Sequence, residues 1–246
     1  MRILMFIAAL AAQGPPGPPP PAQAPRVAAP IDLAGYWVSI VSEDWRYRMV
    51  TPAKGDYQAV PMTPDAVKLA DAWNPEADTA AGNQCKSYGA PAIMRAPGRL
   101  HITWDDDKTL KVETDAGTRT RMFKFDAPAL PSKGEPTWQG TSTAQWDLQP
   151  GGRGANAGAP RRGSLKVVTA NLKSGYLRKN GVPYSEDAKL TEYFDVIRTR
   201  NGDVLLMVTS IVDDPKYLRQ PFIVTTQFKK QSDAKGWDPT PCSATW

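Results

Sequence analysis

Apolar and polar residues alternate with period two along much of the chain, and that period marks half-buried strands. From Arg99 to Trp104 it puts Leu100, Ile102 and Trp104 on one face and His101, Thr103 and Asp105 on the other. Asp105-Asp106-Asp107 then turns the chain into a strand from Thr109 to Thr114. Asp115-Ala116-Gly117 turns it again into Thr118 to Phe125, where Arg119 and Arg121 set against Met122 and Phe123 alternate less cleanly. Upstream, Leu33 to Val41 is apolar and aromatic. Asp44 to Met49 alternates strictly, which predicts a strand with Trp45, Tyr47 and Met49 facing inward and Asp44, Arg46 and Arg48 facing away. Further strands are predicted from Pro136 to Trp146, Leu165 to Leu172, Leu190 to Arg200, Val204 to Val212 and Pro221 to Phe228. Arg200-Asn201-Gly202-Asp203 is the strongest hairpin signal, because Asn-Gly tolerates the positive φ of the tightest turns. One helix is predicted, with Thr63 as N-cap, Pro64 at its first position, an apolar stripe of Val67, Leu69, Ala70 and Trp73, and a stop at Asn74-Pro75. A loop follows through Cys85 to Pro97. The sum is an all-β chain of about nine or ten strands with one short helix. Short connections make an antiparallel meander, and closing it into a barrel removes its exposed edges. A two-sheet sandwich is the alternative.

The N-terminal region has a different pattern. Arg2, the apolar run Ile3 to Leu10 and the small residues Ala9-Leu10-Ala11 come in the order of an export signal. The apolar run is far short of the roughly 20 residues a membrane helix needs. Residues 1–12 are therefore read as a signal peptide and 13–30 as a proline-rich disordered spacer. Residues 31–246 are read as a single domain, periplasmic or extracellular, with no membrane span.

Composition narrows the chemistry. Of 246 residues, 41% are hydrophobic and 22% charged, as in ordinary globular domains. The net charge of +5 is spread among interleaved acids, so no nucleic-acid stripe is visible. Two cysteines in an exported chain predict one disulfide, Cys85 to Cys242. The single histidine, His101, and the lack of Cys-x-x-Cys or His-x-x-x-His spacing give no metal site. No Gly-x-Ser-x-Gly, Walker loop or dinucleotide fingerprint is present, so no cofactor is expected.

Gly35-x-Trp37 on the first strand is similar to the entry motif of lipocalins and their calycin relatives, in which the Trp plugs the closed end of a barrel. Thr191-Glu192-Tyr193 resembles the second lipocalin motif, and Arg198 or Arg200 the arginine that packs over the Trp. The chain departs from lipocalins in motif spacing and in showing no long C-terminal helix. From Cys85 to Lys230 it also resembles a group of exported bacterial all-β proteins to which no reaction is assigned. The matching pieces are Cys85-x-x-x-Gly89-x-Pro91-x-Ile93-Met94, Thr114-Asp115-x-Gly117, Pro136-Thr137-Trp138-Gln139-Gly140-x-Ser142, Leu190-Thr191-Glu192-Tyr193-Phe194 and Asp213-Asp214-Pro215-x-Tyr217-x-x-x-Pro221-Phe222. The Gly/Ala/Arg-rich stretch 149–163 interrupts that pattern and reads as a surface loop. This resemblance implies secretion and an all-β fold, and no activity.

Two sets of residues could carry chemistry. His101, Glu192 and Tyr193 could serve as acid, base or phenol donor. Trp45, Arg46, Tyr47, Arg48, Trp104 and Asp44 could line a ligand site, with two guanidiniums gripping a carboxylate or phosphate and Asp44 orienting them. Eight tryptophans and eight tyrosines could line an apolar cavity. Three functions follow as expectations. The first is binding of a small hydrophobic or aromatic molecule, anionic if the arginines face it, in the barrel cavity. The second is a cofactor-independent isomerase, lyase or cyclase in the same cavity. The third is an envelope interaction module without a pocket.

Overall fold

In the computed structural model, which describes residues 23–126, 134–148 and 163–245, the alternation closes on itself as a nine-stranded barrel. In chain order the strands are β1 (Gly35–Ile40), β2 (Arg99–Trp104), β3 (Thr109–Thr114), β4 (Arg119–Lys124), β5 (Thr141–Leu148), β6 (Gly163–Ala170), β9 (Lys189–Arg198), β10 (Val204–Asp213) and β11 (Phe222–Gln231). Chain neighbours are barrel neighbours throughout, except that a small hairpin of β7 (Gly175–Tyr176) and β8 (Pro183–Tyr184) stands outside the barrel. β1 closes the ring by pairing with β2 on one side and β11 on the other. The pairing is antiparallel except between β4 and β5, which run parallel and meet only at Phe123↔Ser142 and Lys124↔Thr143.

A barrel of this strand number is just wide enough for side chains to fill, and they do. Trp37, Ile102, Val112, Phe123, Leu165, Val167, Phe194, Leu206 and Val208 are each fully buried in the lumen. Trp37 is a core residue, its indole N–H donating to the Leu33 carbonyl at 2.9 Å. The ammonium of Lys230 lies 5.3 Å from its ring, whereas Arg198 and Arg200 are exposed at the far end of β9.

The two mouths are closed differently. At the mouth where β1 begins and β2 ends, Trp104 stacks on Phe125 at 5.8 Å and approaches Trp146 at 6.4 Å. Trp146 donates to the Pro25 carbonyl and the Arg26 N–H to the Asp107 carbonyl, so residues 23–30, expected as spacer, lie against the barrel. The expected leader, residues 13–22 of the spacer and 149–162 of the expected loop lie outside the described residues.

At the opposite mouth a cap of short elements gathers. It contains α1 (Trp45–Arg48), α2 (Pro64–Asp71), α3 (Pro75–Ala80), a 3₁₀ turn over Lys86–Tyr88 and α4 (Ala90–Ile93). The one helix expected is present as α2, with the Thr63 hydroxyl accepting from the Ala66 N–H. Asn74-Pro75 does end it, but also begins α3, because the Asn74 side chain accepts from the Glu76 and Ala77 N–H groups. The loop expected through Cys85 to Pro97 contains the 3₁₀ turn and α4. A second apolar cluster, including Met62, Ala66, Leu177, Val182, Tyr184, Leu218 and Phe222, seats the cap on the barrel.

Two anchors fix the cap. The Asp214 carboxylate accepts from the Ser185 N–H and hydroxyl and from the Lys216 and Tyr217 N–H groups, so the Asp213-Asp214-Pro215 turn holds the segment after β8. The Cys85–Cys242 disulfide, spanning 157 residues, ties the chain after β11 to the segment before the 3₁₀ turn. Replacing both cysteines, Cys85→Ser with Cys242→Ser, is expected to cost about 3–5 kcal/mol, because the closed loop is long. Urea denaturation of oxidised wild type against the double variant measures it.

Candidate functional site: a cationic pocket under the barrel cap

The segment Asp44–Met49 is not a strand. Asp44 takes a left-handed conformation (φ 51°) and sends the chain into the single turn of α1. Side chains on a helix rotate by about 100° per residue and do not alternate. Trp45 and Met49, expected inward, are therefore exposed, and Arg48, expected on the outer face, is buried. The Arg48 guanidinium is fully engaged: Nε donates to the Arg95 carbonyl at 2.8 Å, Nη1 pairs with Glu43, and Nη2 reaches the Ser39 hydroxyl at 3.2 Å. Arg46 turns outward to Asp56, and the Tyr47 hydroxyl lies within hydrogen-bond reach of Asp56 and Gln58.

Against α1 the cap brings Arg95 from the end of α4 and Arg178 from the β7–β8 turn. Arg95 donates Nη1 to Asp44 at 3.0 Å, and its Nη2 has no partner among the described residues. Arg178 is 3% exposed and lies 4.0 Å over the Tyr47 ring. It donates only Nη1, to the Gln58 carbonyl at 2.7 Å, while its Nε and Nη2 are buried without partners. The adjacent Asn180 donates to the Ala53 and Asp56 carbonyls and so fixes the turn that carries Arg178. Lys179 reaches the Tyr88 hydroxyl at 2.7 Å, and burial pulls its ammonium down to about 7.

These groups line a cavity of about 20 Å³ together with Ser87, Ala92, Ala96 and Leu177. Its charge does not balance. Arg48 is paired with Glu43 and Arg95 with Asp44, but among the described residues Arg178 has no carboxylate within 4 Å. Burial, reinforced by neighbouring Arg95 and opposed by the more distant carboxylates of Asp44 and Asp56, lowers Arg178 to about 10, so it stays cationic at neutral pH. A buried charge needs a counter-charge and hydrogen bonds to its free protons. Three N–H-bearing nitrogens on the two lining residues (Arg95 Nη2, Arg178 Nε and Nη2) have no partner among the described residues.

The residues expected to act as acid, base or donor do not converge. His101 lies on the outer face of β2, stacked on Tyr36 at 4.1 Å, with Nδ1 3.3 Å from Glu113 on β3. A neighbouring strand thus supplies the carboxylate that Asp105 is too far along the strand to give. Glu192 points inward and is buried in a bidentate pair with Arg121, at 2.9 and 2.6 Å. Arg121 Nη2 also reaches the Thr169 hydroxyl at 3.2 Å, and that hydroxyl is 2.8 Å from the Ser142 hydroxyl. Tyr193, next in sequence, faces out with Lys166 5.8 Å from its ring. Trp104 is at the other mouth. Of the ligand residues expected, Tyr47, Arg48 and Asp44 come together here, with Arg46 and Trp45 on the outer side of the same helical turn.

A second concavity, of about 410 Å³, opens where β4 and β5 splay apart, and Arg121, Ser142 and Gln139 line it. Its floor is electrically closed, because Glu192 cancels Arg121.

Arg95, Arg178 and Lys179 were not legible as site residues. Arg178-Lys179-Asn180-Gly181 reads as a solvated turn, and its burial comes from the loop 53–58, far away in sequence. A scan against family models, a search of curated proteins and a search of solved structures each found no match.

The buried pair carries its own test. Arg121→Met strands the Glu192 carboxylate and is expected to cost about 3–5 kcal/mol, whereas Arg121→Met with Glu192→Leu recovers most of that loss. Chemical denaturation of the two variants distinguishes them.

Proposed function

We propose that the protein binds a small organic anion, with the anionic group held by Arg178 and Arg95 under the barrel cap. The single observation that carries this reading is Arg178: a buried guanidinium lining a small cavity, with two unpartnered nitrogens and no ion pair among the described residues. One uncompensated cation matches a monoanion best, and a carboxylate presents two acceptors to convergent N–H donors. Since the lumen is filled by side chains, the ligand belongs at the capped mouth and not along the barrel axis. Binding is favoured over catalysis, because the expected acid, base and donor residues His101, Glu192 and Tyr193 do not converge on the cavity. Export to the periplasm or beyond, which the N-terminal sequence suggests, fits a role in capturing a solute, and the disulfide is compatible with an oxidising compartment.

The test is thermal unfolding with increasing acetate, phosphate and chloride at constant ionic strength. Acetate is expected to raise the Tm of the wild type by mass action. In Arg178→Met that rise disappears. The ligand-free variant is expected to be at least as stable as the wild type, since it no longer buries an uncompensated charge. An equal response of wild type and variant to acetate would sink the proposal.

A further inference from the structure

The cavity is too small for a whole organic ligand. About 20 Å³ admits little more than a water-sized group, so a carboxylate can enter and the body of the molecule must lie outside. What it would lie on is set by α1, which lines the cavity through Tyr47 and Arg48. A four-residue helical turn is only about 6 Å long, so every side chain of α1 is within a short molecule's reach of the cavity. Its outer side is unusually apolar. Trp45 is 64% exposed, Met49 53% and Val50 54%, three of the large exposed hydrophobic side chains within six residues. The Met49 N–H donates to the Trp45 carbonyl, which stacks these two residues on one side of the turn. Trp45 has no ring partner among the described residues. A lone exposed Leu or Val is unremarkable, but an exposed indole with two neighbouring apolar side chains, on the same short turn whose other side lines the cationic cavity, is an amphipathic arrangement.

We infer that the ligand is an amphipathic monocarboxylate whose head is bound by Arg178 and Arg95 and whose aromatic or short aliphatic body lies on Trp45 and Met49. The inference rests on the anion reading above and adds the class of molecule. The charge side is complementary to a single carboxylate. The apolar side offers a π-face for an aromatic ring and a flexible thioether that moulds to an irregular body.

The experiment is calorimetric titration of acetate, butyrate, octanoate, benzoate and neutral benzamide into wild type, Trp45→Ala, Met49→Ala and Arg178→Met, with vesicles of anionic and of zwitterionic phospholipid as a separate arm. In the wild type, benzoate and octanoate are expected to bind about tenfold or more tightly than acetate, and benzamide not at all. Trp45→Ala, a surface change that leaves folding intact, removes that tenfold gain without altering acetate affinity. Met49→Ala removes part of it. Arg178→Met abolishes binding of every carboxylate. Retention of the full gain in Trp45→Ala overturns the inference and leaves the anion site standing. Failure of any carboxylate to bind the wild type overturns both. Trp45-dependent binding to anionic vesicles without a gain among soluble carboxylates overturns the inference in favour of a lipid surface.

Discussion

Closure of the sheet on β1 is the constraint from which the other features follow. β1 is six residues long, and both its edges are hydrogen-bonded, to β2 and to β11. An open sheet would expose two edges, and a closed one exposes none. Closure also fixes which side chains turn inward, since each strand offers only two faces. Three connections then emerge at the capped mouth: residues 41–98 between β1 and β2, 171–188 between β6 and β9, and 214–221 between β10 and β11. Segments far apart in sequence meet there, and only that meeting places Arg48, Arg95 and Arg178 around one cavity.

Two buried groups of charges sit close to this mouth, and their contrast is instructive. In the Arg121–Glu192 pair two charges share two hydrogen bonds, and hydroxyls of Thr169 and Ser142 extend the network. The desolvation of such a pair offsets much of its attraction, so its presence is weak evidence for stability. In the arginine cluster the charges outnumber their partners by one. The first arrangement balances its charges internally, although Arg121 Nε has no partner among the described residues, whereas in the second Arg178 has no ion-pair partner among them.

The barrel was readable because period two is a local property. Leu100, Ile102 and Trp104 opposite His101 and Thr103 is what the structure has, as is the turn at Asn201-Gly202. Glu192 was readable too, in a way that its motif resemblance obscured: parity places it between Leu190 and Phe194 on the buried face. Arg121 was not, because its partner is 71 positions away and a lone inward arginine only blurs the alternation. Asp44 to Met49 misled for a different reason. Six alternating residues fit a strand, but one residue with positive φ at Asp44 rotates the following turn, and no period survives a single helical turn. The cap was the least legible part, since its short elements are held by tertiary contacts and not by propensity.

The disulfide encloses every strand but β1. Cys85 is made before β2, and its partner only after β11, so translation delivers the two thiols at opposite ends of barrel synthesis. No native bridge can form on a nascent chain that lacks any of these strands. Until the last strand and the tail are made, Cys85 has no native partner. The tail that the bridge captures places the Ser243 N–H on the Tyr88 hydroxyl that Lys179 also reaches, so a wall residue of the cationic pocket depends on the last-made segment of the chain.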